Sequence, residues 1–233
     1  IYNIWTKRQF SGAEIAGIKI HASIDMLIKN NCIHNAGRGL WMDWMAQGTR
    51  ITCNICFDNT TDDLYCEVDH GPYLIDNNIF LSEIGFRDMS EGGALIHNLF
   101  NGKITRAPDR RLTPYHKAHS TEVVSLKNIL GGDNRFYNNI FIAGYAPIAS
   151  SEDPSATRRV RIGYGLDIYN DAELPMYVDG NVYYKGAKSY AKEINFVEQS
   201  GFDPQIEIIE ESDGFYLYFK LEKSYRSLKG KLI

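Results

Sequence analysis

The sequence contains no long apolar run and no strong excess of charge of one sign. No stretch approaches the roughly 18 consecutive apolar residues that a membrane-spanning helix requires, and no basic leader precedes an apolar segment at the start. We therefore expect a soluble chain without a membrane partner. The net charge of −4 and the pI near 5.9 also argue against a surface for polyanions, so nucleic acid is not an expected partner.

Cysteine is scarce, with four residues in 233, and its placement does not predict a metal site. Cys53 and Cys56 form a CxxC motif, but residues three apart on a strand face opposite sides and cannot bind one ion together. We expect free thiols, no disulfides and no metal. The absence of a leader and of disulfides favours a cytoplasmic location. The chain begins IYNIW without an initiator methionine, which predicts a piece of a longer protein.

Amphipathic segments of helical length are also missing, whereas one short phrase recurs. Asparagine is disfavoured inside strands, yet it returns within β-rich stretches such as IKNNCIHN, LIDNNIFLS and FYNNIFIA. The repeated positions are Asn31, Asn54, Asn78, Asn98, Asn139 and Asn181. The gaps of 23, 24, 20, 41 and 42 residues indicate a period of a little over 20 residues, with two turns in each of the last two gaps.

A period of this length in a β-rich chain predicts an all-β solenoid, a parallel β-helix over residues 1–186. Coils would stack about 4.8 Å apart, and the asparagines would stack at a corner and hydrogen-bond one another. Chance recurrence of asparagine in a β-sandwich is the alternative. Residues 187–233 form a separate tail in this interpretation, with a short helix in 187–200 and a β-hairpin in 205–224 that packs on the solenoid or on a neighbouring domain.

Two acids hold equivalent places in consecutive coils. Asp43 precedes Asn54 by 11 residues, and Glu67 precedes Asn78 by 11. Strand alternation puts both acids on the outer face, where facing acids repel and destabilise a sheet. A function is therefore favoured, because carboxyl groups about 5 to 5.5 Å apart suit retaining glycoside hydrolysis. Solvated surface acids or a cation site remain alternatives.

The same alternation assigns the neighbours of the acids. Trp41 and Tyr65 each stand two residues before an acid, so we expect an aromatic stack that borders the pair and binds sugar rings. Trp44 should point inward and Asp69 outward. His21, in GIKIHAS, falls on the rung next to Asp43.

At these motifs the sequence resembles a known family. GLWMDWMAQGTR, DLYCEVDHGPYLIDNNIFLS and TPYHKAHSTEV resemble the right-handed β-helix β-xylosidases of glycoside hydrolase family 120, over residues 12 to about 145. The resemblance implies that Asp43 is the nucleophile and Glu67 the acid/base, and that Glu14 and His21 belong to the sugar-binding subsite. It also implies a β-sandwich domain that the chain is too short to contain, so that N-terminal coils would be missing.

The resemblance implies a retaining, exo-acting β-xylosidase that acts on short xylo-oligosaccharides without a cofactor. His70 and His119 are further candidates for substrate binding, although His70 could equally be a structural turn residue. Glu91, His116 and Arg50 have ordinary structural explanations.

Two other functions stay open. A polysaccharide lyase would share the solenoid and could hold Ca²⁺ on Asp43, Glu67 and Asp69. A non-catalytic carbohydrate-binding solenoid would have no use for the acid pair. The sequence leaves open whether the chain forms a homo-oligomer or associates with its own missing N-terminal portion.

Overall fold

The computed structural model describes residues 1–4, 14–145 and 160–221, and this part of the chain is almost entirely β-structure. The first of three large sheets contains, in spatial order, β1 (Ile18–His21), β4 (Arg38–Asp43), β7 (Asp62–Glu67), β10 (Ile84–Met89), β13 (Lys103–Arg106) and β18 (Arg161–Gly163). The second contains β2 (Leu27–Lys29), β5 (Arg50–Thr52), β8 (Tyr73–Asp76), β11 (Gly93–Ile96), β16 (Arg135–Tyr137) and β19 (Tyr177–Asp179). The third contains β3 (Cys32–His34), β6 (Ile55–Phe57), β9 (Ile79–Phe80), β12 (Leu99–Phe100), β17 (Ile140–Ile142), β20 (Val182–Tyr184) and β21 (Val197–Gln199).

In the residues that the structure describes, the remaining elements are two hairpins and one short helix. The hairpins are β14 (Asp109–His116) with β15 (Val123–Ile129) and β22 (Glu207–Glu211) with β23 (Gly214–Tyr218). A 3-10 helix spans Asp167–Tyr169. Three strands, one from each large sheet, make one coil. Within the described part of these sheets, each coil pairs in parallel with the coil before it, except that β18 runs antiparallel to β13. The predicted all-β architecture of stacked parallel strands is therefore observed.

The recurring asparagines form a continuous buried ladder between the second and third sheets. Each side-chain amide donates to the side-chain oxygen of the next asparagine along the stack, at 2.8 to 3.0 Å. The last asparagine, Asn181, donates to Glu193 Oε1 at 2.8 Å. Because each asparagine also accepts from the backbone N–H of the one before it, the ladder fixes the register of coil on coil.

The residue before each ladder asparagine explains why the motif is so often doubled. Asn30, Asn77 and Asn138 have φ of 58°, 57° and 55°, and Gly180 has 74°. This left-handed conformation turns the chain sharply, and asparagine and glycine tolerate it better than other residues. The first asparagine therefore makes the corner, and the second joins the ladder.

The spacing of the last three coils differs from the prediction that the long gaps hold two turns each. Ladder asparagines 98 and 139 bond directly, and β12 pairs with β17. Asparagines 139 and 181 do the same, and β17 pairs with β20. Each gap is thus one coil enlarged by an insertion, and the first insertion is the β14–β15 hairpin. An insertion leaves the ladder intact, so asparagine spacing alone cannot distinguish it from an extra coil.

The interior of the coils is apolar and repeats with the strands. Phe80, Phe100, Phe141 and Tyr183 stack with ring centroids 5.2 to 5.3 Å apart and are fully buried. Aromatic pairs of this kind contribute about 0.5 to 1.5 kcal/mol each beyond their burial. The core thus extends along the stack as one column.

The tail differs from the prediction in part. No helix occupies 187–200; turns and β21 are found there instead, and β21 extends the third sheet by parallel pairing with β20. The β22–β23 hairpin is present, and Phe215 and Leu217 pack against the outward cluster that contains Phe57 and Leu99. Pairing with the sheet edge outweighs local helix propensity in this segment.

The ladder predicts a graded loss of stability. Asn78 is buried and its side chain makes five hydrogen bonds, whereas Asn31 at the ladder's end is half-buried and its side chain makes two. Asn78→Ala should lower the free energy of unfolding by about 2 to 4 kcal/mol, because buried partners lose their bonds. Asn31→Ala should cost about 1 kcal/mol or less. Urea unfolding measures both, and equal losses would contradict the ladder's role.

Stability should also fall as the pH rises from about 4 to about 7. Burial raises the pKa of Asp63 from 3.8 to about 7, although Ser82 and Asn59 donate hydrogen bonds to the carboxylate. The unfolded chain ionises first, so this contribution is present below pH 3.8 and lost as the pH passes through about 7; the loss is on the order of 2 to 4 kcal/mol. Asp63→Asn should flatten the pH dependence measured by urea unfolding. Asp58→Asn, at an exposed position, is the control and should not flatten it.

Candidate functional site

The two candidate acids lie at the ends of neighbouring strands in the first sheet. Asp43 is the last residue of β4 and pairs in register with Glu67, the last residue of β7. His21 precedes Asp43 in this column and Met89 follows Glu67. Neighbouring strands lie about 4.8 Å apart, so the structure places the two acids on adjacent rungs, in the register predicted by counting from the ladder.

The chain turns abruptly after each acid. Trp44 and Met45 have φ of 26° and 68°, and Val68 has φ of 55°. A β-branched residue rarely adopts this conformation, and such strain costs about 1 to 3 kcal/mol and is concentrated at functional sites. The turns end the strand alternation, so the predictions for Trp44 and Asp69 are wrong. Trp44 lies outside, beside His21 with ring centroids 6.4 Å apart, and Asp69 is fully buried.

Asp43 is nearly buried and has a lysine as its partner. Lys19 Nζ lies 2.7 Å from Asp43 Oδ2, and His21 Nε2 lies 4.0 Å from the same oxygen. Lys19 also pairs with Glu14, whose side chain is mostly exposed. The structure therefore places His21 on the rung next to Asp43, as predicted, and Lys19 links Glu14 to Asp43. The assignment of Glu14 and His21 to a sugar-binding subsite stays a prediction.

Glu67 is bound by an arginine from the β14–β15 hairpin. Arg111 Nη2 donates to Glu67 Oε1 at 2.8 Å. Arg111 itself is held by the buried carboxylate of Asp109, which accepts from its backbone N–H at 2.8 Å, from Nε at 3.1 Å and from Nη2 at 3.0 Å. These bonds raise the pKa of Arg111, so the guanidinium stays charged.

Trp41 and Tyr65 stack as predicted, with ring centroids 5.3 Å apart, but they are only 6% and 5% exposed. Lys19 Nζ lies 3.8 Å from the Trp41 ring centroid, and the guanidinium of Arg38 lies 4.7 Å from it. The guanidinium of Arg87 lies 5.2 Å from the Tyr65 ring. The predicted sugar-binding platform is therefore covered by cations, and the stack supports the strands that carry the acids.

Asp69 lies behind the acid pair as a third carboxyl. Burial raises its pKa well above the usual range, and the nearby charges of Asp43 and Glu67 raise it further. Because Asp69 points inward, it cannot join Asp43 and Glu67 in the calcium site that the sequence left as an alternative. Within 1–4, 14–145 and 160–221, no group of three histidine, cysteine or acidic side chains could hold a metal ion.

His70 and Glu91 dock the hairpin instead of facing a ligand. His70 Nδ1 lies 3.0 Å from Glu91 Oε1, and Nε2 lies 2.7 Å from Thr113 Oγ1. Glu91 also accepts from the backbone N–H of Leu130 at 3.0 Å. Both ring nitrogens of His70 are engaged and its side chain is 6% exposed, so the structural interpretation of His70 fits better than a contact with substrate.

The other candidates from the sequence lie along the same hairpin or away from it. The backbone of His116 exchanges two hydrogen bonds of 3.1 Å with the Gln47 side chain. His119, at the exposed tip, lies 2.8 Å from Asp25 through Nδ1. Arg50 forms a bidentate pair with Asp76 on the second sheet and does not join the acids.

These contacts all lie at one corner of the stacked coils. Asp25, Gln47, His70 and Glu91 lie in the turns between the first and second sheets of coils one to four. The hairpin is inserted at the same corner of the fifth coil, between β13 and β16. It folds back along the corner beside the ends of β4 and β7. Lys19 could have been found from alternation in GIKIHAS, whereas nothing in the repeat points to Arg111.

Comparisons with known proteins give one close match. Comparison with family models and with curated proteins found no match. A solved structure, XylC in complex with xylose, superposes with a TM-score of 0.84 at 40% sequence identity, over 97% of this chain and 37% of XylC. The chain thus spans 37% of the length of XylC.

In the described residues, no helix combines the length and apolar character needed to cross a membrane.

The docking contacts predict that His70 controls the mobility of the hairpin. His70→Asn should remove the hydrogen bond from the ring to Thr113 Oγ1 and the contact of the ring with Glu91 Oε1. Amide hydrogen exchange in 109–129 should then accelerate by about tenfold or more, because the docked state loses roughly 1.5 kcal/mol. His97→Asn, at an exposed turn, is the matched control. Unchanged exchange in His70→Asn would show that other contacts suffice.

Proposed function

We propose that this chain carries the catalytic acids of a retaining glycoside hydrolase that releases xylose from the ends of short xylo-oligosaccharides, as an exo-acting β-xylosidase. The observation that carries the proposal is the in-register pair Asp43 and Glu67 on adjacent rungs. Such spacing matches the carboxyl separation of about 5 to 5.5 Å in retaining enzymes. The likeness to XylC, solved with xylose, favours a xylose-containing substrate.

The same likeness supports a finer fold proposal. The coils would form a right-handed parallel β-helix of the family 120 type that includes β21 beyond residue 186, with the β22–β23 hairpin as an appended tail. Because the chain spans 37% of XylC, the activity of the whole protein and the association of this chain with further domains belong to the proposal as well.

In the first step, an Asp43 carboxylate oxygen attacks the anomeric carbon of the terminal xylose. The bond from that carbon to the leaving oxygen breaks, and its electron pair goes to the leaving oxygen. Glu67 in its protonated form donates the proton that this oxygen takes up. The products of the step are the shortened sugar and a xylosyl ester on Asp43.

In the second step, Glu67 is a carboxylate and removes a proton from water. The water oxygen bonds to the anomeric carbon as the ester bond to Asp43 breaks. Xylose is released with retained configuration, and both acids return to their starting states. Lys19 and Arg111 offset the repulsion between the two acids at the ends of β4 and β7, since each acid has a cation within 3 Å. No step requires a cofactor.

Substitution of the acids tests the proposal. In the full-length protein, Asp43→Asn should lower kcat/KM on p-nitrophenyl β-xyloside by at least about 1,000-fold, because the nucleophile is lost. Glu67→Gln should lower kcat/KM on xylobiose by about 100- to 10,000-fold. The exposed Asp58→Asn is the control. Proton NMR of the first sugar product should show the β-anomer.

Three results would decide against parts of the proposal. Inversion of configuration would exclude the double displacement. Turnover that survives Asp43→Asn would remove that residue from the mechanism. Xylose binding by calorimetry without turnover on any glycoside would leave a carbohydrate-binding solenoid.

A further inference from the structure

The two acids hold their cations in different ways. Lys19 is a flexible chain with one ammonium group, shared between Asp43 and Glu14. Arg111 uses its backbone, Nε and Nη2 on Asp109 and still reaches Glu67 with Nη2. A planar guanidinium bound at several points is fixed in direction, whereas an ammonium is a point charge that imposes no plane on its partners.

The anchor of Arg111 is itself buried and belongs to a paired strand. Asp109 is 1% exposed and begins β14, and its strand partner Ile129 is equally buried. Beyond Arg111 the hairpin is docked at Thr113 by His70. Arg111 is therefore held from both sides along the strand, and its position relative to β7 is set by the coils.

The result for Glu67 is a carboxylate with one oxygen held in a fixed direction. Oε1 accepts the charge-assisted bond from Arg111 at 2.8 Å, which leaves Oε2 as the oxygen available for proton transfer. A carboxyl group anchored in this way cannot rotate freely. The position at which it gives and takes a proton is then determined before substrate arrives.

We propose that Arg111, anchored by Asp109, is the residue that positions Glu67 for proton transfer, and that the β14–β15 hairpin is thereby part of the catalytic site. This rests on the proposed function of Glu67 as acid/base. Arg111 acts through Glu67 and needs no contact with the sugar. The hairpin is the means by which the fifth coil contributes to a site built on the first three.

Leaving-group dependence separates positioning from a structural effect. A glycoside with an activated leaving group, such as 2,4-dinitrophenyl β-xyloside, needs little help from an acid in the first step, whereas xylobiose needs it fully. In the full-length protein, Arg111→Met should lower kcat/KM on xylobiose by about 10- to 100-fold. On the activated substrate the loss should stay below about threefold. Arg111→Lys, which keeps the charge without the fork, should fall between wild type and Arg111→Met on xylobiose.

The matched control is Arg110→Met, an exposed neighbour on the same strand, which should leave both substrates unaffected. Circular dichroism and thermal unfolding check that all variants fold. Equal losses on both substrates, or no loss on xylobiose, would overturn the positioning role while the wild-type enzyme remains active.

A second measurement does not depend on turnover. Labelling of Glu67 by a water-soluble carbodiimide, followed by peptide mass spectrometry, should be at least about threefold faster in Arg111→Met than in wild type, because the guanidinium no longer occupies the carboxylate. Arg110→Met should match wild type. If wild type turns over no glycoside, the proposed function fails, and labelling still decides whether Arg111 holds Glu67. Equal labelling rates would overturn that.

Discussion

The asparagine ladder fixes the register on which the rest of the structure depends. A slip of one residue between coils would move every side chain of a strand to the opposite face. Each ladder asparagine prevents a slip by bonding to the backbone and the side chain of its neighbour in the stack. The same number of residues separates the last residue of the first-sheet strand from the ladder asparagine in coils two and three. Asp43 and Glu67 therefore lie side by side on adjacent strands.

The meeting of these acids would be unfavourable without the cations around them. Like charges opposite one another weaken a sheet. In the first sheet, two cations from different parts of the chain offset the repulsion between the acids. Lys19 comes from the adjacent rung, within the regular pattern, and Arg111 comes from an insertion. The stack of Trp41 and Tyr65, with Arg38 and Arg87 over its rings, stiffens the strands immediately before the acids.

The sequence was informative where the structure repeats. Period, strand alternation and the recurring asparagines together predict stacked parallel strands, the corner, and the rung shared by Asp43 and Glu67. Prediction failed where a non-repeating feature intervenes. The turns at Trp44 and Val68 end the alternation, so Asp69 was predicted on the outer face but lies inside. Arg111 lies 44 residues from Glu67 in sequence, and only the folded path of the hairpin brings them together.

The path of that hairpin has a consequence for how the site assembles. Stacked coils of parallel strands can form one after another, since each coil contacts only its neighbours. The hairpin is an exception, because it contacts coils that are not its neighbours. His116 bonds to Gln47, 69 residues away in sequence, and His119 contacts Asp25, 94 residues away. Coils one to three can therefore be in place while the acid pair is still open to water and without its arginine. The site is complete only when this long-range closure has formed, and unfolding of the hairpin alone would remove Arg111 from it.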